Sequence, residues 1–186
     1  MQMSTNRKGS KDEMVDAQDA IEIYQSLAAH GIPVWLTGGW GIDALLGEQT
    51  RPHKDLDFVM RLDDVARLRD LLGRAGYDQE ELWSENHWTV DAEGNEVPTA
   101  FVLEDSAGRK VDAHAMRFDE EGTGIPAWTD ETIVFKRKDL AGEGTIAGIT
   151  VRCITAEMQV VCHTGYDMPP AQARDLALLE AIVERR

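Results

Sequence analysis

The chain has 186 residues, enough for one domain with a sizeable core. It carries 34 acidic against 19 basic residues, a net charge of −15. That balance excludes the basic face that nucleic acid or an anionic membrane surface requires, and it permits cationic partners and divalent metals. A hydrophobic fraction of 42% excludes a disordered chain. Two cysteines, Cys153 and Cys162, exclude a disulfide framework, and their spacing fits no zinc pattern, so both read as buried thiols. No apolar run reaches the length of a membrane span. Residues 1–11 are polar and mildly basic, with no apolar stretch to make a signal peptide, and read as a disordered tail; a cytoplasmic protein is expected.

Apolar positions at Val15, Ala20, Ile21, Tyr24 and Leu27 predict a helix from Asp12 to His30, closed by Gly31. Ile32–Leu36 predicts a buried strand, broken by Thr37-Gly38-Gly39. Trp40–Leu46 follows as a helix stopped by Gly47. Leu56–Met60 reads as a strand, and Leu62–Ala75 as an amphipathic helix ended by Gly76. The period then changes. His87–Asp91, Thr99–Glu104 and Lys110–Phe118 are expected strands, with turns at Ala92–Asn95 and Ser106–Arg109. Thr132–Lys136 is a further expected strand. Gly144–Ala147 and Ile149–Ile154 form a hairpin about Gly148, and Gly142-Glu143-Gly144 reads as a turn. Thr155 caps a helix to about His163, and Pro169-Pro170 opens a last helix over 171–185. The expected fold class is α+β, a mixed β-sheet flanked by helices with a small helical C-terminal part. The expected division is a core over 12–140, and a hairpin and helices over 141–186 that complete a substrate cleft.

The chemistry concentrates in Thr37-Gly38-Gly39-Trp40-Gly41-Ile42-Asp43 and Thr50-Arg51-Pro52-His53-Lys54-Asp55-Leu56-Asp57. Strand alternation puts Asp55 and Asp57 on one face, roughly 6–7 Å apart, while Leu56 and Phe58 face the core. Two carboxylates so close repel unless a cation lies between them, and Mg²⁺ suits hard oxygen ligands while leaving positions open for phosphate oxygens. Asp112, flanked by Val111 and Ala113, is the expected third carboxylate of a two-metal site. Gly38 and Gly39 lie between a strand and a helix, where backbone N–H groups approach an anion. Arg51, His53 and Lys54 add positive charge for triphosphate oxygens. The combination reads as a nucleoside triphosphate with Mg²⁺ and in-line attack on phosphorus. A P-loop is excluded because its lysine-bearing pattern is absent, and a dinucleotide fingerprint because its third glycine is absent.

These two motifs resemble the Gly-Gly…Asp-x-Asp signature of the nucleotidyltransferase (DNA polymerase β-like) superfamily. More narrowly they are similar to the lincosamide nucleotidyltransferases and the aminoglycoside 2″-nucleotidyltransferases. Gly38, Gly39, Trp40, Ile42 and Asp43, then Thr50, Arg51, His53, Asp55, Leu56 and Asp57, carry the match. The similarity extends from about Gly31 to Tyr166 through Val111–His114 and Phe118–Gly122. The resemblance implies a nucleotidyltransferase fold, in which Asp55, Asp57 and Asp112 hold two Mg²⁺ ions. Asp112 is also implied as the general base, and Gly38, Gly39, Arg51 and His53 as cradling ATP or another nucleoside triphosphate. It implies transfer of a nucleoside monophosphate, AMP from ATP, to a hydroxyl of a small cationic antibiotic, with homodimerisation by analogy. A protein or other acceptor, and a non-catalytic nucleotide-binding module, are the competing readings. The wider superfamily has Gly-Ser where Gly39-Trp40 stands here, which leaves open the donor that replaces the serine hydroxyl.

Other residues carry weaker expectations. Asp43 is expected to hydrogen-bond the Gly-Gly turn. His114 shares a face with Asp112, either as its partner at the site or as a core histidine. His163 is a further candidate for the cleft. Trp83, Trp88 and Trp128 read as core or as pocket walls, with core the default. Between Asp78 and Glu131 stand 15 acidic and 3 basic residues, so most of the net charge belongs to the segment that carries Asp112 and fits an acidic wall for an amine.

Overall fold

A computed structural model describes residues 14–129, 133–163 and 170–184. The first helix, α1 (Ala17–Ala29), starts later than the apolar spacing suggests. Asp16 is its N-cap: its carboxylate accepts from Asp19 N–H at 2.9 Å, and the Asp19 carboxylate accepts from Asp16 N–H at 3.2 Å. Val15 is extended instead, and its N–H donates to the His53 carbonyl at 3.0 Å. Residues 12 and 13 lie outside the described residues. Strand β1 (Val34–Leu36) and helix α2 (Gly38–Leu46) follow. Gly38 and Gly39 are thus the first turn of α2 and not a break before it. Strand β2 (Asp55–Arg61) leads through a single 3-10 turn, Leu62–Asp64, into α3 (Val65–Arg74).

The middle of the chain is richer in strands than its pattern suggests. β3 (Asp78–Leu82), β4 (Trp88–Val90), β5 (Glu96–Pro98), β6 (Ala100–Glu104), β7 (Lys110–Phe118) and β8 (Gly124–Pro126) all precede residue 130. The expected strand at Thr132–Lys136 does not form over its described part: only Phe135 makes a bridge, to Gly124. Thr132 itself lies outside the described residues. β9 (Gly142–Ile146) and β10 (Ile149–Cys153) make the expected hairpin, but Gly142 and Gly144 are inside β9 and not in a turn. α4 (Ala156–Cys162), capped by Thr155, and α5 (Pro170–Val183) close the chain. Pro169 and Tyr166 lie outside the described residues.

Seven strands run in the order β3-β6-β7-β2-β1-β10-β9, with β8 paired to the far end of β7, while β4 and β5 pair separately. β2 lies parallel to β7, and β1 parallel to β10, so the sheet is mixed. Alternation sorts the strand residues onto two faces. Leu56, Phe58 and Met60 of β2 and Val111, Ala113 and Ala115 of β7 point to the main core, with Ile21 and Leu27 of α1 and Leu68 and Leu72 of α3. Val59 and Met116 point to the opposite face, where Phe135, Leu140, Ile154 and Met158 cover one end. The other end of that face carries Asp55, Asp57 and Asp112. α2 packs so tightly on β9 that a Cβ at Gly144 would stand 2.8 Å from the Ala44 Cβ, which is why a strand accepts glycine there. No helix among the described residues is long and apolar enough to cross a membrane.

Candidate active site

β2 and β7 pair with Asp57 opposite Asp112 and Asp55 opposite Lys110. One residue of slip would turn the carboxylates into the main core, so the apolar partners Leu56 and Val111, both fully buried, fix the register. Removal from water, then the like charge of Asp112, raises the Asp55 carboxyl above its ordinary value. Burial, then the charges of Asp55 and Asp112, raises Asp57 well above it. Asp55 and Asp57 therefore resist ionisation where the fold crowds three carboxyl groups on one face.

The Gly-Gly turn faces these carboxylates. Gly38 has φ +56°, and a Cβ there would stand 2.6 Å from Asp57 Cγ. A Cβ at Gly39 would stand 2.5 Å from His53 Cε1 and 3.2 Å from Arg51 Nη2. Only glycine lets the backbone come this close to all three side chains. The Thr37 N–H donates to the Asp57 carbonyl at 3.0 Å and fastens the turn to β2. Gly38, Gly39, Arg51, His53, Asp55, Asp57 and Asp112 are thus gathered at one end of the sheet.

The supports differ from expectation. Asp43 does not bond the Gly-Gly turn. Its Oδ1 accepts from Thr50 Oγ1 at 2.6 Å, and its Oδ2 lies 2.5 Å from His53 Nε2. Asp43 and His53 are each 2% exposed, so His53 sits beneath Gly39 with its ring against Trp40. Asp43→Ala is expected to cost about 2–4 kcal/mol, because it strands buried His53 and half-buried Thr50. Urea unfolding of the variant checks this. Arg51 donates from Nε at 3.0 Å and Nη2 at 2.8 Å to Asp175 Oδ2 of α5. Asp175 was not singled out from sequence, although a carboxylate four residues before buried Leu179 on one helical stripe signals a buried partner.

Above Asp112 stands a wall built from the loop after β3. Trp83 Nε1 donates to Asp112 Oδ1 at 2.9 Å. His114 Nδ1 is 3.4 Å from the same oxygen, and its Nε2 is 3.6 Å from Glu85 Oε1. His114 is therefore a partner at the site and not a core histidine. Trp128 lies edge-on to His114, with ring centroids 4.9 Å apart. Asn86 Oδ1 accepts from the Thr99 and Ala100 N–H groups, and Thr99 Oγ1 bonds both backbone groups of His87, which pins this loop to β6. Trp83 and Trp128 line the cleft as pocket walls, Trp128 also packing on the core cluster around Phe135, while Trp88 is 49% exposed. The cleft holds about 640 Å³, and Thr37, Gly38, Asp57, Glu85, Cys162 and His163 also border it. Burial pushes the Cys153 thiol up to about 12 and the Cys162 thiol up to about 11, as inert thiols require.

Among the described residues, no three acidic, histidine or cysteine side chains already surround one point as a cage for a metal ion. Asp112 is turned onto Trp83 and His114. The donor set nonetheless fits magnesium, which takes one or two carboxylates and completes its shell with phosphate and water.

Solved structures share this fold. The lincosamide antibiotic adenylyltransferase LnuA, bound to lincomycin, superposes with a TM-score of 0.75 at 24% identity over 91% of this chain and 99% of that one. ANT(2'')-Ia in complex with adenylyl-2''-tobramycin does so at 0.66 and 20% identity, over 90% of this chain and 88% of that one. The fold is that of the nucleotidyltransferases. The model of the aminoglycoside-2''-adenylyltransferase family matches residues 19–179, and the chain belongs to that family. A lincosamide resistance protein of Staphylococcus haemolyticus is 26% identical over 151 residues, 81% of this chain and 86% of the relative. A 2''-aminoglycoside nucleotidyltransferase of Klebsiella pneumoniae is 38% identical over 65 residues, 32% of this chain and 37% of the relative.

Proposed function

We propose that this family member transfers AMP from ATP to a hydroxyl of a small cationic antibiotic, a lincosamide or an aminoglycoside, and releases pyrophosphate. The observation that carries the reading is the approach of the Gly38–Gly39 turn to Asp57, on the face shared with Asp55 and Asp112. Free N–H groups at the start of α2 and the Arg51 guanidinium bind the triphosphate. Asp55 and Asp57, with Asp112, hold magnesium, which supplies charge for the attacking and leaving oxygens when bound. Asp112 takes the proton of the acceptor hydroxyl, and Trp83 Nε1 and His114 orient its carboxylate. Trp83, Trp128 and His114 exclude water from the acceptor side, and Glu85 offers a charge to a drug amine.

Pyrophosphate release that requires both a nucleoside triphosphate and the drug tests the reaction. Release without any drug, or none with any drug, counts against it. Glu85→Gln is expected to raise the acceptor KM roughly two- to five-fold and to leave the nucleotide KM unchanged, since a partly solvated charge pair contributes modestly. Added salt should weaken the acceptor in the same selective way. Steady-state kinetics with each substrate varied in turn checks both.

A further inference from the structure

Thr37 is the N-cap of α2, yet its side chain makes no cap hydrogen bond. Its hydroxyl is 3.0 Å from Oε1 of Gln159 on α4. Gln159 is fully buried, and its Nε2 has no hydrogen-bond partner. An amide NH₂ stranded in this way is costly, whereas an unused carbonyl oxygen is less so. A half-turn of the amide exchanges its two ends. The NH₂ then donates to Thr37 Oγ1, and the Thr37 O–H is released to donate elsewhere. Thr37 borders the cleft beside Gly38 and Asp57, so the freed O–H stands where the cleft meets the start of α2. Gly41 makes room for the amide: a Cβ there would run into Gln159 Nε2 and stand 3.0 Å from the rigid Leu36 carbonyl oxygen. The neighbouring positions Gly38, Gly39 and Trp40 offer no hydroxyl, and the Trp40 ring is buried in the core.

We propose that Thr37, with its hydroxyl set by Gln159, donates a hydrogen bond to a triphosphate oxygen at the N-terminus of α2. Gln159 is a positioning residue, and through it α4 is tied to the nucleotide turn. The inference rests on the nucleotide reading given above.

Binding of ATP with Mg²⁺ to the full chain, measured by titration calorimetry, tests it. Thr37→Val keeps the shape and loses the hydroxyl, and is expected to weaken ATP binding about ten-fold or more, as for a hydrogen bond to a charged group. Thr37→Ser keeps the hydroxyl and is expected to stay within about three-fold of the wild type. Gln159→Met removes the bond that sets the hydroxyl but leaves the hydroxyl present, so it should weaken ATP binding about three-fold, clearly less than Thr37→Val does. A merely structural pair would make Thr37→Val and Gln159→Met lose affinity equally, and that result overturns the proposal. Wild-type affinity in Thr37→Val, or an equal loss in Thr37→Ser, also overturns it. If the wild-type chain binds no ATP, the nucleotide reading itself fails and this proposal falls with it.

Discussion

Asp57→Asn is expected to abolish nucleotidyl transfer while leaving a folded chain that is no less stable at neutral pH. The loss of turnover should reach about three orders of magnitude, because a carboxylate that holds charge at the reacting phosphate has no substitute in an amide. The stability result follows from the repulsion among Asp55, Asp57 and Asp112. Burial and those neighbours raise the Asp57 carboxyl well above its ordinary value of 3.8. The folded chain therefore keeps that proton longer than the unfolded chain does. Stability falls as pH rises from the ordinary carboxylate value through the raised one, and the deficit persists above it. The Asn variant carries no such charge and should escape this part of the loss. Thermal midpoints across pH 4–8 in chelator, together with kcat, check both halves. Near-normal activity in the variant would contradict the role given to Asp57.

Gly38→Ala is the second large effect, and it should damage both stability and turnover. The φ of +56° costs an L-residue about 1–2 kcal/mol before any contact is counted. The added Cβ would also press on the Asp57 carboxylate, which is held by strand pairing and cannot move away cheaply. Turnover should fall by about two orders of magnitude or more, since a small misplacement at the reacting centre is enough for that. Gly47→Ala is the matched comparison. Gly47 has φ +77° with open space around it, so only the backbone cost applies. Gly38→Ala that lost no more activity than Gly47→Ala would show that the approach of the turn to Asp57 is unimportant.

Most of the candidate site was legible in sequence because Gly38 to Asp57 lie close along the chain, with a local physical reason for each, whereas Asp112 reaches it through strand pairing. Glycines between a strand and a helix, and carboxylates alternating with buried Leu56 and Phe58, are patterns of spacing. What lay beyond reach depends on partners far along the chain. Asp43 looked like a brace for the turn beside it, but the loop returns Thr50 and His53 onto it. Gln159 and Asp175 matter only because α4 and α5 fold back over α2. The fold was legible to a similar depth. β3 reads Asp-Gln-Glu-Glu-Leu, with no apolar alternation, and is a strand because β6 pairs with it, through a register shift between Gln79 and Glu81. Gly142 and Gly144 carried a turn signal, yet they serve close packing: a Cβ at Gly142 would stand 2.7 Å from the Cys153 carbonyl oxygen. Between core and pocket wall, the tryptophans were decided by a similar long-range effect. Trp83 and Trp128 are large enough for a core, but the acidic loop after β3 brings Trp83 over Asp112, and the cleft needs apolar walls.

The acidic segment that dominates the net charge also acquires a place. Glu85 and Asp112 flank His114 at the cleft. Asp78 and Glu104 pair across β3 and β6 in the same sheet. Of that segment's acids among the described residues, Glu85 and Asp112 are the ones that stand beside the cleft's His114.

The most direct test is the mass of the drug itself. Purified chain is incubated with Mg²⁺ and ATP, GTP, CTP or UTP in turn, against a panel of lincosamides and aminoglycosides, and each drug is weighed by mass spectrometry. The expected result is the gain of one nucleoside monophosphate on at least one drug, abolished by Asp57→Asn. No gain on any drug with any nucleotide, from a chain that binds ATP, would contradict antibiotic nucleotidylation.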